Sequence, residues 1–292
     1  MREFTLKVPS SQKADDWFNF VKVSLKHSDK VESLIVDFNT VRFMETDDFV
    51  ILACLIESFY INGCSVSFIG GTTNFNNHLF NIKFKEYWKE GFDRAKFTLS
   101  KNRTTLCLWK ISEKMIYSYS NYAKEYFERF TKNKDLIPMS SNMDEVFNNI
   151  FDHSQSEVTG YIITQYYPKN NKISFSVCDF GVGIPKSIEN ADLEGKQKYE
   201  DWKAIVKSLE KGFSIKSTPR NRGFGLNNLL ELTESSNGTL QIISNDGFFL
   251  KKAGEMYKVD NVNFDFKGTL IKVEIDLDTF EEKDESDDIF GF

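Results

Sequence analysis

The chain has no excess of positive charge. Its 37 basic and 43 acidic residues leave a net charge of -6, so it carries no global electrostatic signature for nucleic acid. It has no Cys-x-x-Cys pair. Cys54, Cys64, Cys107 and Cys178 are its four cysteines, and three lie inside apolar runs. They read as reduced core residues rather than zinc ligands or disulfides. No apolar run is long enough to span a bilayer, and Met1–Lys7 does not read as a signal peptide. The expected compartment is therefore the cytosol, with no membrane partner. There is no internal repeat. A Gly-x-x-x-x-Gly-Lys-Ser/Thr segment is also lacking, which excludes a P-loop.

What is present is ample apolar material. Hydrophobic residues make up 40% of the 292, and phenylalanine alone contributes 28. That suffices for two ordinary cores, in line with the roughly two domains expected from length. Acidity concentrates in the tail from Glu281 to Asp288. Such a run is expected to be solvated and disordered; the alternative is that Ile289–Phe292, which follows it, is a short docking peptide, and the disordered reading is favoured.

In the first half, Val31 to Phe38 reads as a buried strand and Thr46 to Ile61 as a helix. Phe49, Leu52, Ala53, Ile56 and Tyr60 fall at helical spacing. Asn62-Gly63 makes a turn, and Cys64 to Ile69 reads as a second strand closed by Gly70-Gly71. Strand, helix, strand implies a right-handed crossover and a parallel pair. Asn74 to Gly91 reads as a helix with a following turn, Thr104 to Ile111 as a strand candidate, and Ser112 to Phe130 as an amphipathic helix between two halves. Lys132–Asp135 is a polar break.

Three later segments carry candidate chemistry. On the helix around Ser140 to His153, capped by Ser141 or Asn142, an apolar stripe runs through Met143, Val146, Phe147, Ile150 and Phe151. Glu145, Asn149 and Asp152 share the opposite face. Taken alone, that is an ordinary solvated face. Next, Ile173, Phe175 and Val177 alternate along a strand that ends at Asp179, followed by Gly181, Gly183, Ile184 and Pro185. Glycine there permits positive φ and close approach of a ligand, and a carboxylate at a strand end can accept from an exocyclic amine. Finally, Arg222-Gly223-Phe224-Gly225-Leu226 precedes a helix whose free N–H groups favour phosphate.

In this order the segments resemble the boxes of the GHKL nucleotide-binding superfamily, with Gly268-Thr269 leading into a last strand like the final box. The resemblance spans about residues 138–280. It implies ATP and Mg²⁺ as ligands, with Asn149 holding Mg²⁺, Asp152 on the same helix face, and Asp179 reading adenine. It further implies that Gly181 and Gly183, with Ile184 after them, floor the pocket and that Thr269 lies near the base. Gly223, Gly225 and Leu226 would present N–H groups to the phosphates, and residues 186–222 would form a mobile lid carrying Lys211, Lys216 and Arg222. Glu145 stands where the hydrolysing branch keeps its water-activating base. The expectation is a slow ATPase acting as a conformational switch. An anti-sigma-type serine/threonine kinase and a non-hydrolysing ATP-binding module are the alternatives. No His-bearing helix pair precedes the box helix, which argues against a sensor histidine kinase.

Val31 to Gly71 resembles the STAS domain of anti-sigma factor antagonists, with Leu34 to Phe49 as the matching stretch. There the loop reads Asp-Ser-Ser-Gly and its second serine is phosphorylated. Here it reads Glu45-Thr46-Asp47-Asp48, with Asp47 at the acceptor place. Either the acidic loop mimics the modified state permanently, or it simply caps the helix; the second is favoured. The fusion implies that the STAS-like half docks on its own ATPase half or on that of a second copy, with a homodimer possible and a protein partner unidentified. The expected fold is α/β (α+β): a STAS-like mixed sheet with helices over 1–110, a helical linker over 111–137, a two-layer α/β sandwich over 138–280, and the tail over 281–292.

Overall fold

The computed structural model describes residues 2–11, 13–94, 104–111, 116–131, 134–153, 160–191, 198–211, 213 and 226–283. The side chains at 116, 117, 149–153, 191 and 263 lie outside that description. The fold is α+β.

The first half alternates β1 (Glu3–Lys7), α1 (Ala14–Leu25), β2 (Ser33–Asp37), α2 (Thr46–Tyr60) and β3 (Ser65–Ile69). The strands lie in sequence order, β1-β2-β3, and both pairings are parallel. A mixed sheet was expected; among the described residues it is parallel throughout. Two crossovers of the same hand between successive neighbours put both helices on one face. Leu6, Leu34 and Val36 point to that face and are buried, while Thr5, Ile35 and Ser67, paired across the strands, look the other way. The stretch expected as one helix after β3 splits into α3 (Thr73–Asn81) and a 3-10 turn, Phe84–Trp88. Lys83, in the left-handed region at φ 61°, makes the break.

The second half holds a five-stranded sheet in the order β4-β5-β6-β8-β7, antiparallel throughout. Its strands are β4 (Trp109–Lys110), β5 (Tyr161–Tyr167), β6 (Lys172–Asp179), β7 (Thr239–Lys252) and β8 (Lys258–Asp276). The strand candidate at 104–111 thus joins β5 of this sheet, with a bridge from Thr105 to Gln165 before it. Ile162, Phe175, Val177, Ile242, Ile271 and Val273 share one apolar core with α4 (Ile116–Glu128), α5 (Ile137–His153) and α8 (Asn227–Ser235). α4 therefore packs against α5 over this face rather than between the two halves. α5 begins before the expected caps: the Ile137 N–H donates to Asp135 Oδ1 at 2.9 Å, and Asn142 sits inside the helix with its Nδ2 on the Pro138 carbonyl.

The opposite face of the same sheet, through Tyr161, Ile163, Cys178 and Leu270, belongs to the core of the first half. α2 lies between the two sheets. Every residue from Phe49 to Phe59 is buried, as a helix apolar all round requires. α1 joins it, with Phe18 stacked on Phe264 at 4.5 Å. The layers therefore run three-stranded sheet, helices, five-stranded sheet, helices.

Candidate functional site

β6 alternates, so Phe175, Val177 and Asp179 face the α5 side and Ser174, Ser176 and Cys178 face α2. Asp179, the last residue of β6, is 2% exposed. Its Oδ1 accepts from the Gly181 N–H at 2.7 Å. Burial pushes the Asp179 carboxyl up to about 7, against that hydrogen bond, which pulls it down. Thr269 is its direct cross-strand partner, which sets the two Cβ atoms about 5 Å apart.

Two glycines permit this closeness. A Cβ on Gly268 (φ +129°) would stand 2.0 Å from the Asp179 carbonyl oxygen, so no other residue lets β8 approach β6 here. Gly183 (φ +78°) opens α6 (Gly183–Ala191), and a Cβ there would meet Asn245 Oδ1 at 2.6 Å and Ser244 Oγ at 2.8 Å. The Ile184 N–H, an orphan of the first helical turn, donates to Ser244 Oγ at 2.8 Å. That hydroxyl also donates to the Gly268 carbonyl at 2.9 Å and lies 3.1 Å from Thr269 Oγ1. Asp179, Gly181, Gly183, Ile184 and Thr269, chosen from sequence, thus converge, and Ser244 and Asn245 of β7 join them.

Glu145 lies on α5, half-buried, and α5 contacts both α6 and α8. The backbone of Asn149 and Asp152 continues the same helix, while their side chains lie outside the described residues. Lys216, Arg222, Gly223 and Gly225 lie outside the described residues altogether. The Leu226 side chain is 5% exposed and belongs to the core beside α8; the contact expected of this residue is through its backbone N–H. Within the stretch expected to form a lid, α7 (Asp201–Ser208) packs on β7 through buried Ala204 and Ile205, so this portion is part of the body. The acidic tail beyond Lys283 lies outside the described residues.

On the far face of the sheet the acidic loop is fully engaged. Asp48 Oδ2 accepts from the Glu45 N–H at 2.9 Å, the reciprocal arm of a capping box, so the loop caps α2 as favoured. Burial and the neighbouring Asp47 push the Asp48 carboxyl to about 7. Thr46 is wholly buried, and its hydroxyl lies 3.1 Å from Ser174 Oγ and 2.7 Å from Ser176 Oγ. Lys272 of β8 pairs with Asp47 at 3.0 Å and with Glu45. Burial would lower the Lys272 ammonium, but Asp47 and Glu45 outweigh it and hold it above its ordinary range. The Cys54 thiol donates to the Cys178 carbonyl at 3.1 Å. At the other end of α2, Glu57 is fully buried and receives Lys110 Nζ at 2.6 Å, Tyr161 OH at 2.8 Å, Trp88 Nε1 at 3.3 Å and Arg94. Desolvation would raise the Glu57 carboxyl, yet the hydrogen bonds from Arg94 and Lys110 hold it below the usual range.

The four cysteines are free and buried. His27 stacks on Phe4 at 4.4 Å, and burial lowers His78, which sits beside Phe49; both serve packing. Among the described residues no helix is long and apolar enough to cross a membrane. No family model matches the chain, and no curated protein matches it.

Proposed function

We propose that this protein binds ATP with Mg²⁺ on the helical face of its five-stranded sheet, as a regulatory protein of the GHKL type. The observation that carries the reading is the convergence on Asp179. A buried carboxylate at a strand end has an Asp-x-Gly-x-Gly turn folded beside it and a Gly-Thr pair directly across the ladder. The residues fit a nucleotide base. The ionised Asp179 accepts from the exocyclic amine of adenine, which is the group it can recognise and a carbonyl edge would repel. The space a side chain would take at Gly183 is filled by Asn245 and Ser244, so only glycine lets the turn pack this closely on β7.

α5 carries Glu145 from the same layer. In this reading it is the general base that takes the proton from water attacking the γ-phosphate. Asn149 is the residue that would hold Mg²⁺, whose contribution when bound is to offset charge on the triphosphate. The second half of the proposal is regulatory. The STAS-like first half is docked in cis, and the acidic loop and α2 sit against β6, the strand that ends in Asp179. A nucleotide-dependent state of the site therefore has a direct neighbour through which to reach a protein partner.

The test is incubation of full-length protein with Mg²⁺ and γ-labelled ATP, following free phosphate and protein-bound label. Turnover that falls roughly 10²- to 10⁴-fold in Glu145→Ala supports the switch ATPase. Label on protein in place of free phosphate would assign the kinase instead. Tight binding with neither product would leave a nucleotide-binding module.

A further inference from the structure

We infer that Ser244 is a positioning residue that makes Thr269 a hydrogen-bond acceptor toward the base, and so selects an amino edge over a carbonyl edge. The inference rests on the nucleotide reading of the Asp179 cluster and names its base specificity.

The argument is a proton count at one hydroxyl. Ser244 is fully buried, and its Oγ has three partners: the Ile184 N–H, the Gly268 carbonyl and Thr269 Oγ1. An N–H can only donate and a carbonyl can only accept, while a hydroxyl carries one proton and two lone pairs. The Ser244 proton goes to Gly268, since a buried carbonyl left without a donor is unfavourable. One lone pair takes the Ile184 N–H. The contact with Thr269 is then satisfied only if Thr269 donates. Its proton is committed inward, and what it offers outward is lone pairs. Beside it stands Asp179, an acceptor when ionised. Two acceptors side by side match an exocyclic amine and oppose a carbonyl oxygen in the same place. The same three bonds tie the start of α6, β7 and β8 together, so Ser244 holds the turn at 181–184 against the Gly268-Thr269 pair.

The experiment is equilibrium binding of ATP and inosine triphosphate, with Mg²⁺, to the full-length protein and to Ser244→Ala, Thr269→Val and the double variant. Inosine triphosphate presents a carbonyl where ATP presents its amine. The unaltered protein is expected to favour ATP. In Ser244→Ala the Thr269 proton is released to turn outward, and the ATP preference should shrink by roughly tenfold, the effect of about one hydrogen bond. In the Thr269→Val background the Ser244 change should alter the preference no further, because it acts through Thr269. A role in stability alone would lower the melting temperature and leave the preference intact, and that result would overturn the inference. Ser244→Cys, whose thiol fills similar space but hydrogen-bonds weakly, carries the same test if the alanine variant does not fold. Failure of the unaltered protein to bind either nucleotide would overturn the site reading as well. ATP binding that is lost in Asp179→Asn, with a preference insensitive to Ser244, would overturn this inference alone.

Discussion

At the scale of single residues, Asp179 faces two demands that oppose each other. Its carboxyl titrates near 7 in the fold against an ordinary 3.8, so between these values the folded state binds a proton that the unfolded chain has released. Stability from this group therefore falls as pH rises from about 4 to 7. Asp179→Asn removes the buried charge and should raise the melting temperature at pH 8 while changing little at pH 4. The same variant should lose roughly 10- to 100-fold in ATP affinity, since a charge-assisted hydrogen bond is replaced by a neutral one. Because the ionised form accepts more strongly from the amine than the neutral acid does, ATP affinity in the unaltered protein should also weaken as pH drops below about 7, levelling off near the affinity of the asparagine variant. The asparagine variant should lose that component, and titrations at several pH values will separate the two.

Glu57 behaves in the opposite sense. Its folded carboxyl lies below the ordinary 4.5, so its stabilisation is complete above that value and is lost as pH falls beneath it. Glu57→Ala strands Lys110 and Arg94 beside Tyr161 and should destabilise by about 3 kcal/mol at pH 7, read by denaturant unfolding.

At the scale of elements, α2 is the member on which both sheets depend. Leu52→Ala, in a fully buried position, should cost about 2–5 kcal/mol. Thermal unfolding should remain a single transition, because the helix belongs to one core shared by β2 and β6. The sequence made α2 legible through its apolar spacing, and likewise the parallel pair of β2 and β3. It also marked the Asp179 turn, because glycine spacing is a local backbone requirement, whereas the Gly268-Thr269 pair entered only through the resemblance to the GHKL boxes. The contacts of β7 were not legible. Ser244 continues the inward row of Leu240 and Ile242, and a polar residue at an inward position was the available signal, but its partners lie on α6 and β8, far away in sequence. Glu57 was likewise a charge inside an apolar helix whose partners, Lys110 and Tyr161, come from a different sheet. The start of α5 was placed too late because Ser141 and Asn142 are good caps by type, whereas Asp135 had been read only as part of a polar break.

At the scale of the whole molecule, one sheet serves two faces: the candidate nucleotide site on the α5 side and the docked first half on the α2 side. Asp48 and Asp179 together lose stabilisation as pH rises from about 4 to about 7, and Glu57 loses it as pH falls below 4.5. From these three groups the melting temperature should therefore be highest near the ordinary carboxylate range, at about pH 4 to 4.5, and decline toward pH 7, which a calorimetric pH series checks. Removing residues 2–94 would expose Tyr161, Ile163, Cys178 and Leu270, an apolar face of the kind that aggregates; the remaining piece should appear in the void volume on size exclusion rather than as a stable monomer. The most direct test of the central claim is calorimetric titration of Mg²⁺ and ATP into the full-length protein and into Asp179→Asn at pH 8. Saturable binding to the first, weakened at least tenfold in a second that melts no lower, is the predicted result. No binding to either, or equal binding to both, would contradict the assignment of this face as a nucleotide site.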